Sequence, residues 1–217
     1  MSVRRLFEEE LAELKTELVA MCRLTEQMID QAIKALVEED RELGRSVGDA
    51  DKRVDEYERD IEKKCMRLLL TQQPVAKDFR EVSTALKMIT DIERFGDQAS
   101  DIGDLVYTMP GETGGTDLTK LAEMGALASK MVRESVNSFI RNDERRADEV
   151  VMADDTMDAL FLEVKRELTE RIRRDSACGD RAIELMMIAK YLERIGDHAV
   201  NVAEWAKYYE TGVHQKF

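Results

Sequence analysis

Proline is nearly absent. Pro74 and Pro110 are the only two in 217 residues, and a chain so free of backbone breaks points to long helices. Aromatics make up 6% against 36% charged residues, so those helices must be largely surface-exposed. Cysteine is scarce as well. Cys22, Cys65 and Cys178 are isolated and odd in number, with no CxxC pair and no disulfide framework, which fits a reducing cytoplasm. No apolar run approaches the ~20 residues of a membrane span, so a soluble chain is expected, free to dock on a membrane complex. Met1-Ser2-Val3-Arg4-Arg5 runs at once into acids, and no secretory signal is expected. Positive charge is in deficit: the formal net charge is -13. Nucleic acid is therefore excluded as a partner, because phosphate binding needs a basic surface, and cations or basic protein patches are suited instead. A Gly-rich phosphate loop, a Ser-His-Asp set and a cysteine nucleophile are also missing, so nothing points to enzymatic chemistry. His198 and His214 stand alone, and neither forms the Glu-x-x-His pair of a ferritin-like di-iron enzyme.

What the chain does have is helical periodicity, written twice. Apolar residues recur three and four apart from Leu6 towards Leu43, including Leu11, Leu14, Leu18, Met21, Met28, Ile29 and Ile33. Glu39-Asp40 offers a break with Asp40 as N-cap. A second pattern runs through Val47, Val54, Ile61, Cys65 and Leu68 and stops at Thr71-Gln72-Gln73-Pro74, with Pro74 expected in the first turn of a third helix that ends near Tyr107. Met109 to Thr116 holds the other proline and three of the eleven glycines, which marks a linker. Beyond it three more helices are expected, over about Asp117–Ile140, Asp143–Arg173 and Asp180–Tyr209. Met28 to Leu68 aligns with Met131 to Arg171 at an offset of 103, falling to 100 after Pro74. This internal duplication predicts an all-α chain of two antiparallel three-helix bundles in tandem: residues 1–109, a linker at 110–116, and residues 117–217.

The duplication also repeats an acidic pattern. Glu93-Arg94-Phe95-Gly96-Asp97-Gln98-Ala99 and Glu193-Arg194-Ile195-Gly196-Asp197-His198-Ala199 share Glu-Arg-x-Gly-Asp-x-Ala. Positions four apart stack on one side of a helix, so Glu93, Asp97 and Asp101 form a column, as do Glu193, Asp197 and Asn201. Like charges at that spacing cost roughly 0.2–0.5 kcal/mol per pair. Both columns border the apolar stripe, and Gly96, Ala99 and Gly103 are small enough for a neighbouring helix to come close. The preceding helix of each half carries its own pair, Asp51 with Asp55 and Asp154 with Asp158. Elsewhere on that face acidity is not kept: Phe161 replaces Glu58 and Lys165 replaces Glu62. Two sites are therefore expected, Asp51, Asp55, Glu93, Asp97 and Asp101 in the first half, and Asp154, Asp158, Glu193, Asp197 and Asn201 in the second. Clustered carboxylates suit hard cations. The expected cofactors are divalent or ferric ions, among them iron, manganese, magnesium and zinc, in a multinuclear arrangement. The first site, being more anionic, is expected to hold its cations more tightly or to hold more of them. The plain alternative is a solvated charged stripe left by a recent duplication, but halves so recent should be similar throughout, and outside these motifs they differ widely.

Arg94 and Arg194 read as ion-pair partners of neighbouring acids, His198 as a surface residue, the methionines as core filler, and Trp205, Tyr208 and Tyr209 as the close of the core at the end of the last helix.

Together with the turn Gln73-Pro74-Val75-Ala76-Lys77-Asp78-Phe79-Arg80, these motifs resemble the PhoU family of phosphate-specific transport accessory proteins over essentially the whole chain. The resemblance implies two three-helix bundles and a cytoplasmic negative regulator of phosphate uptake and phosphate-starvation signalling. It implies partners in the ATPase subunit of a phosphate ABC transporter and in a phosphate-sensing histidine kinase, and metal clusters held by the acidic motifs. A homodimer is expected. The second half departs from the pattern, with Ser176-Ala177-Cys178-Gly179-Asp180 in place of the Gln-Pro-Val-Ala turn. Two other functions stay open: a carboxylate-bridged metalloenzyme and a structural helical interaction module.

Overall fold

The computed structural model describes residues 3–110 and 116–213. Among them there are six long α-helices: α1 Val3–Glu38, α2 Arg41–Gln72, α3 Lys77–Thr108, α4 Thr119–Arg141, α5 Glu144–Arg174 and α6 Gly179–Thr211, with one 3-10 turn at Ser176–Cys178. The expected linker lies mostly at residues 111–115, outside the described residues.

The helix starts follow the repeat. Asp40 caps α2 by accepting from the Leu43 N–H at 3.0 Å, and Asp143 caps α5 by accepting from the Arg146 N–H at 3.3 Å. One boundary departs from expectation. Pro74 lies before α3 and not in its first turn. Gln73 (φ 45) and Ala76 (φ 49) both adopt positive φ, and this pair of reversals takes up the residues that would have begun the helix.

Packing sorts the helices into two triplets. α1, α2 and α3 all touch one another, as do α4, α5 and α6. The triplets join through α1 against α4 and α3 against α6, so each helix at the seam meets its own repeat counterpart. That is the pattern an approximate twofold axis produces. α2 and α5 stay on the outer flanks. The core runs through both triplets and across the seam, with Leu18, Met28, Met88, Phe95, Met131, Phe139 and Leu192 almost fully buried. Tyr209 closes it edge-on against Phe139 at 5.3 Å between ring centroids, whereas Trp205 and Tyr208 are only partly buried.

The triplets differ at one end. α4 begins at Thr119, the counterpart of Thr16, and among the described residues nothing matches the first thirteen residues of α1. In the first half they lie over α2 and α3: Phe7 and Leu14 are buried, Glu10 pairs with Arg67, Glu13 with Lys64, and Lys15 with Glu81. Beneath them Leu68 is fully buried. In the second half Arg171 takes the place of Leu68 and lines an open cavity of about 650 Å³ with Leu121, Val164, Leu168 and Leu185. A charged side chain suits a position that has lost its cover.

Candidate metal centre

α2 and α3 pack closely where the repeated motif has its glycine. A Cβ on Gly96 would sit 3.1 Å from Asp51 Oδ1 and 3.2 Å from the Val54 side chain. The second half repeats this: a Cβ on Gly196 would sit 3.2 Å from Asp154 Oδ1 and 3.3 Å from Met157. The glycine thus admits a carboxylate from the neighbouring helix onto the backbone of α3 or α6. Sequence reasoning recognised the small residue but not the acid that fills its space.

Each of these carboxylates is poorly satisfied. Asp51 Oδ1, Glu93 Oε2 and Asp154 Oδ1 are buried without a hydrogen-bond partner. Burial, reinforced by the negative charge of Asp97, Asp55 and Asp101, pushes the Asp51 carboxyl up to about 6. Burial followed by Asp97 pushes Glu93 up to about 7, against a smaller downward pull from Arg94. Asp154 rises to about 6 through burial, then Asp197 and Asp158. Asp197 is raised by burial and by Glu193. Carboxyls held this way keep a proton to higher pH than free carboxyls, and a neighbouring cation would favour their charged form.

The structure brings together Asp51, Asp55, Glu93 and Asp97 in the groove between α2 and α3. It brings Asp154, Asp158, Glu193 and Asp197 together between α5 and α6, where Asp158 and Asp197 are more exposed than their counterparts. Asp101 and Asn201 have a second commitment. Asp101 accepts a hydrogen bond from Tyr191 of the other triplet, although its charge still acts on Asp51. Asn201 donates to Asp91 Oδ1 at 3.1 Å. His198 belongs to this seam too and is not a free surface residue: its Nδ1 lies 2.8 Å from Asp91 Oδ1.

One cation of the chain itself completes each site. Arg94 Nη1 donates to Asp97 Oδ2 at 2.6 Å, and its Nε lies 3.4 Å from Glu93 Oε2. Arg194, expected to do the same, makes no such ion pair among the described residues. Lys190 takes that role by pairing with Glu193. Its place three residues before Glu193 was the available signal. Among the described residues no three carboxylate, imidazole or thiolate groups converge as a finished cation cage. The donor set still fits a hard cation: the candidate ligand atoms are carboxylate oxygens, and one in each groove, on Asp51 and on Asp154, is buried with neither a hydrogen bond nor an ion pair.

Two stretches of the chain, residues 18–106 and 121–206, match the family model described as the PhoU domain. A phosphate-specific transport system accessory protein PhoU homolog of Clostridium acetobutylicum is 33% identical over 210 residues, covering 96% of each chain. The homolog of Pseudomonas aeruginosa is 32% identical over 208 residues, covering 95% of this chain and 86% of that one. Among solved structures, PhoU from Pseudomonas aeruginosa superposes with a TM-score of 0.90 at 32% identity over 95% of this chain and 100% of that one. The phosphate transport system regulatory protein PhoU from Streptococcus pneumoniae shares the fold, with a TM-score of 0.90 at 24% identity, covering 97% and 100%.

Proposed function

This chain belongs to the PhoU family, and from that premise we propose that it is a cytoplasmic negative regulator of phosphate uptake and phosphate-starvation signalling. On this reading it is a cation-binding adaptor between the ATPase subunit of a phosphate ABC transporter and a phosphate-sensing histidine kinase, and it acts as a homodimer. The family is one of regulatory and accessory proteins, not of enzymes. The observation that carries the reading is a match along nearly the whole chain, both repeats included, to relatives named as accessory proteins of phosphate-specific transport. No described helix is long and apolar enough to cross a membrane, so action on a transporter would be by docking.

The cation part of the proposal rests on the buried carboxylate oxygens of Asp51 and Asp154, which have no hydrogen-bond partner. Asp51, Asp55, Glu93 and Asp97 would hold ions in the first groove, and Asp154, Asp158, Glu193 and Asp197 in the second. A bound multivalent cation would tie the two helices of a groove together and relieve the repulsion among their acids. The chain's own residues supply the rest. Gly96 and Gly196 let the helices close, and the apolar stripe beneath excludes water from one side of each carboxylate column.

The test is a deletion strain. Its phosphate uptake should rise in rich medium, its starvation genes should be expressed without starvation, and the purified chain should co-purify with the transporter ATPase and the kinase. Unchanged uptake together with unchanged gene expression would defeat the proposal.

A further inference from the structure

The two halves use different residues to place a positive charge on the same acids. In the first, Arg94 reaches both Glu93 and Asp97, and is drawn there by Glu58 as well. In the second, the equivalent Arg194 leaves its motif acids alone and lies near Asp101 and Tyr191 at the seam. The charge there comes from Lys190, whose counterpart in the first half is the neutral Thr90. The supporting residue changes in step. Phe161, the counterpart of Glu58, lies under Lys190 with the ammonium 5.6 Å from the ring centroid. An acid supports the arginine in one half and an aromatic face supports the lysine in the other. Both cations are partly exposed, 49% and 42%, at the mouth of their grooves.

We propose that Arg94 and Lys190 are built-in counter-ions that hold the acid pairs of their grooves closed and must swing out before a multivalent cation is ligated, so that these two side chains set the cation affinity of each half. The inference rests on the cation reading given above. It accounts for acids that are rich in unbonded oxygen and yet do not converge: Glu93, Asp97 and Glu193 are turned towards the chain's own cations. An ion pair at such exposure is weakly held, so it is displaceable by a cation that several carboxylates can share.

Manganese(II) titrated into the metal-free full-length chain, with the free ion followed by electron paramagnetic resonance, tests this directly. Arg94→Gln should tighten one class of sites by about two- to fivefold, the effect of removing one partly exposed ion pair. Lys190→Gln should tighten the other class by a similar factor, and Arg194→Gln should change neither. Arg94→Lys, which keeps the charge but not the span across both acids, should fall between Arg94→Gln and the parent chain. Without metal, Arg94→Gln should lower the melting temperature, and manganese should restore more than it does in the parent. A parent chain that binds manganese with affinities unmoved or weakened by Arg94→Gln and Lys190→Gln would overturn the counter-ion role while leaving the cation reading standing. A parent chain that takes up no manganese would remove the cation reading itself, and this inference with it.

Discussion

Asn201 on α6 donates its side-chain amide to Asp91 on α3 at 3.1 Å, and the repeat writes this contact a second time. The 100-residue offset makes Tyr191 the counterpart of Asp91 and Asp101 the counterpart of Asn201, and Tyr191 bonds Asp101. Donor and acceptor have changed sides, but each copy keeps one of each. The lower ends of both acid columns are thereby fastened to the opposite triplet. The two grooves are not independent modules strung on a linker; each shares a hydrogen-bonded residue with the other half.

Removing the acceptor at Asp91 should loosen this seam. Asp91→Ala leaves both Asn201 and the His198 ring without a partner, and the expected loss of stability is about 1–3 kcal/mol, seen as a lower urea midpoint. Tyr191→Phe removes one bond and should cost about 1 kcal/mol. A change at Asp91 of only a few tenths would mean that apolar packing alone holds α3 to α6.

A close backbone approach between α2 and α3 gives a sharper expectation. A Cβ on Gly103 would lie 2.5 Å from the Gly44 carbonyl oxygen, and the atom in the way is backbone that cannot rotate aside. Gly103→Ala should therefore force α2 from α3 and cost about 1–3 kcal/mol, the usual range for overpacking. Gly179→Ala is the control. Nothing lies within 4 Å of a Cβ there, and alanine at that helix position should be neutral or stabilise by up to about 1 kcal/mol. Thermal melts of the two variants against the parent chain decide between these outcomes.

The helices and the duplication were legible because they depend on local periodicity and on one repeated motif. The acid pairs at 51 and 55, 93 and 97, and their copies were legible for the same reason: a spacing of four puts two side chains on one face whatever else packs nearby. The partners of Asp101, Asn201 and His198 were not legible. They lie about a hundred residues away in sequence, and the angle at which α3 crosses α6 selects them; no local pattern encodes that angle. Lys190 was missed because sequence spacing allows either Arg194 or Lys190 to reach the motif acids. The choice falls to rotamers and to the ring of Phe161. Pro74 was misplaced because two positive-φ residues without glycine, Gln73 and Ala76, carry no compositional signal.

The raised carboxyls predict an unusual pH dependence for the metal-free protein. Asp51 and Asp154 titrate at about 6 and Glu93 at about 7 when folded, against roughly 4 when unfolded. Between those values the folded state binds more protons than the unfolded state, so stability falls as pH rises through the folded values and is gained as pH drops. Urea midpoints should increase from pH 8 to about pH 5. Below about pH 4 the trend should reverse, as carboxyls with lowered values such as Asp117 and Glu163 are protonated and lose their partners. A midpoint that declines steadily from pH 8 to pH 5 would show that the three acids are solvated after all.

The last prediction separates the grooves. On the proposed reading, Glu93→Gln with Asp97→Asn removes two of the four carboxylates that would share ions between α2 and α3, and leaves the groove between α5 and α6 untouched. The metal-free double variant should be more stable than the parent, because Asp51 and Asp55 no longer face two further negative charges across a partly buried groove. Its gain in melting temperature on adding manganese should shrink to what the second groove supplies, since a ligand stabilises only through sites that the folded state offers. Glu193→Gln with Asp197→Asn should give the mirror result. The remaining gains should be unequal. The first groove has the more enclosed acids and the added charge of Asp101, but Asp101 is held by Tyr191 and Arg94 spans two of the ligands. Adding Tyr191→Phe to the second double variant should release Asp101 to the first groove and raise its manganese-dependent gain. If both double variants melt as the parent does, with and without manganese, the acids do not bind cations in solution. The repeated motif would then serve only to let α3 and α6 pack against their neighbours through Gly96 and Gly196.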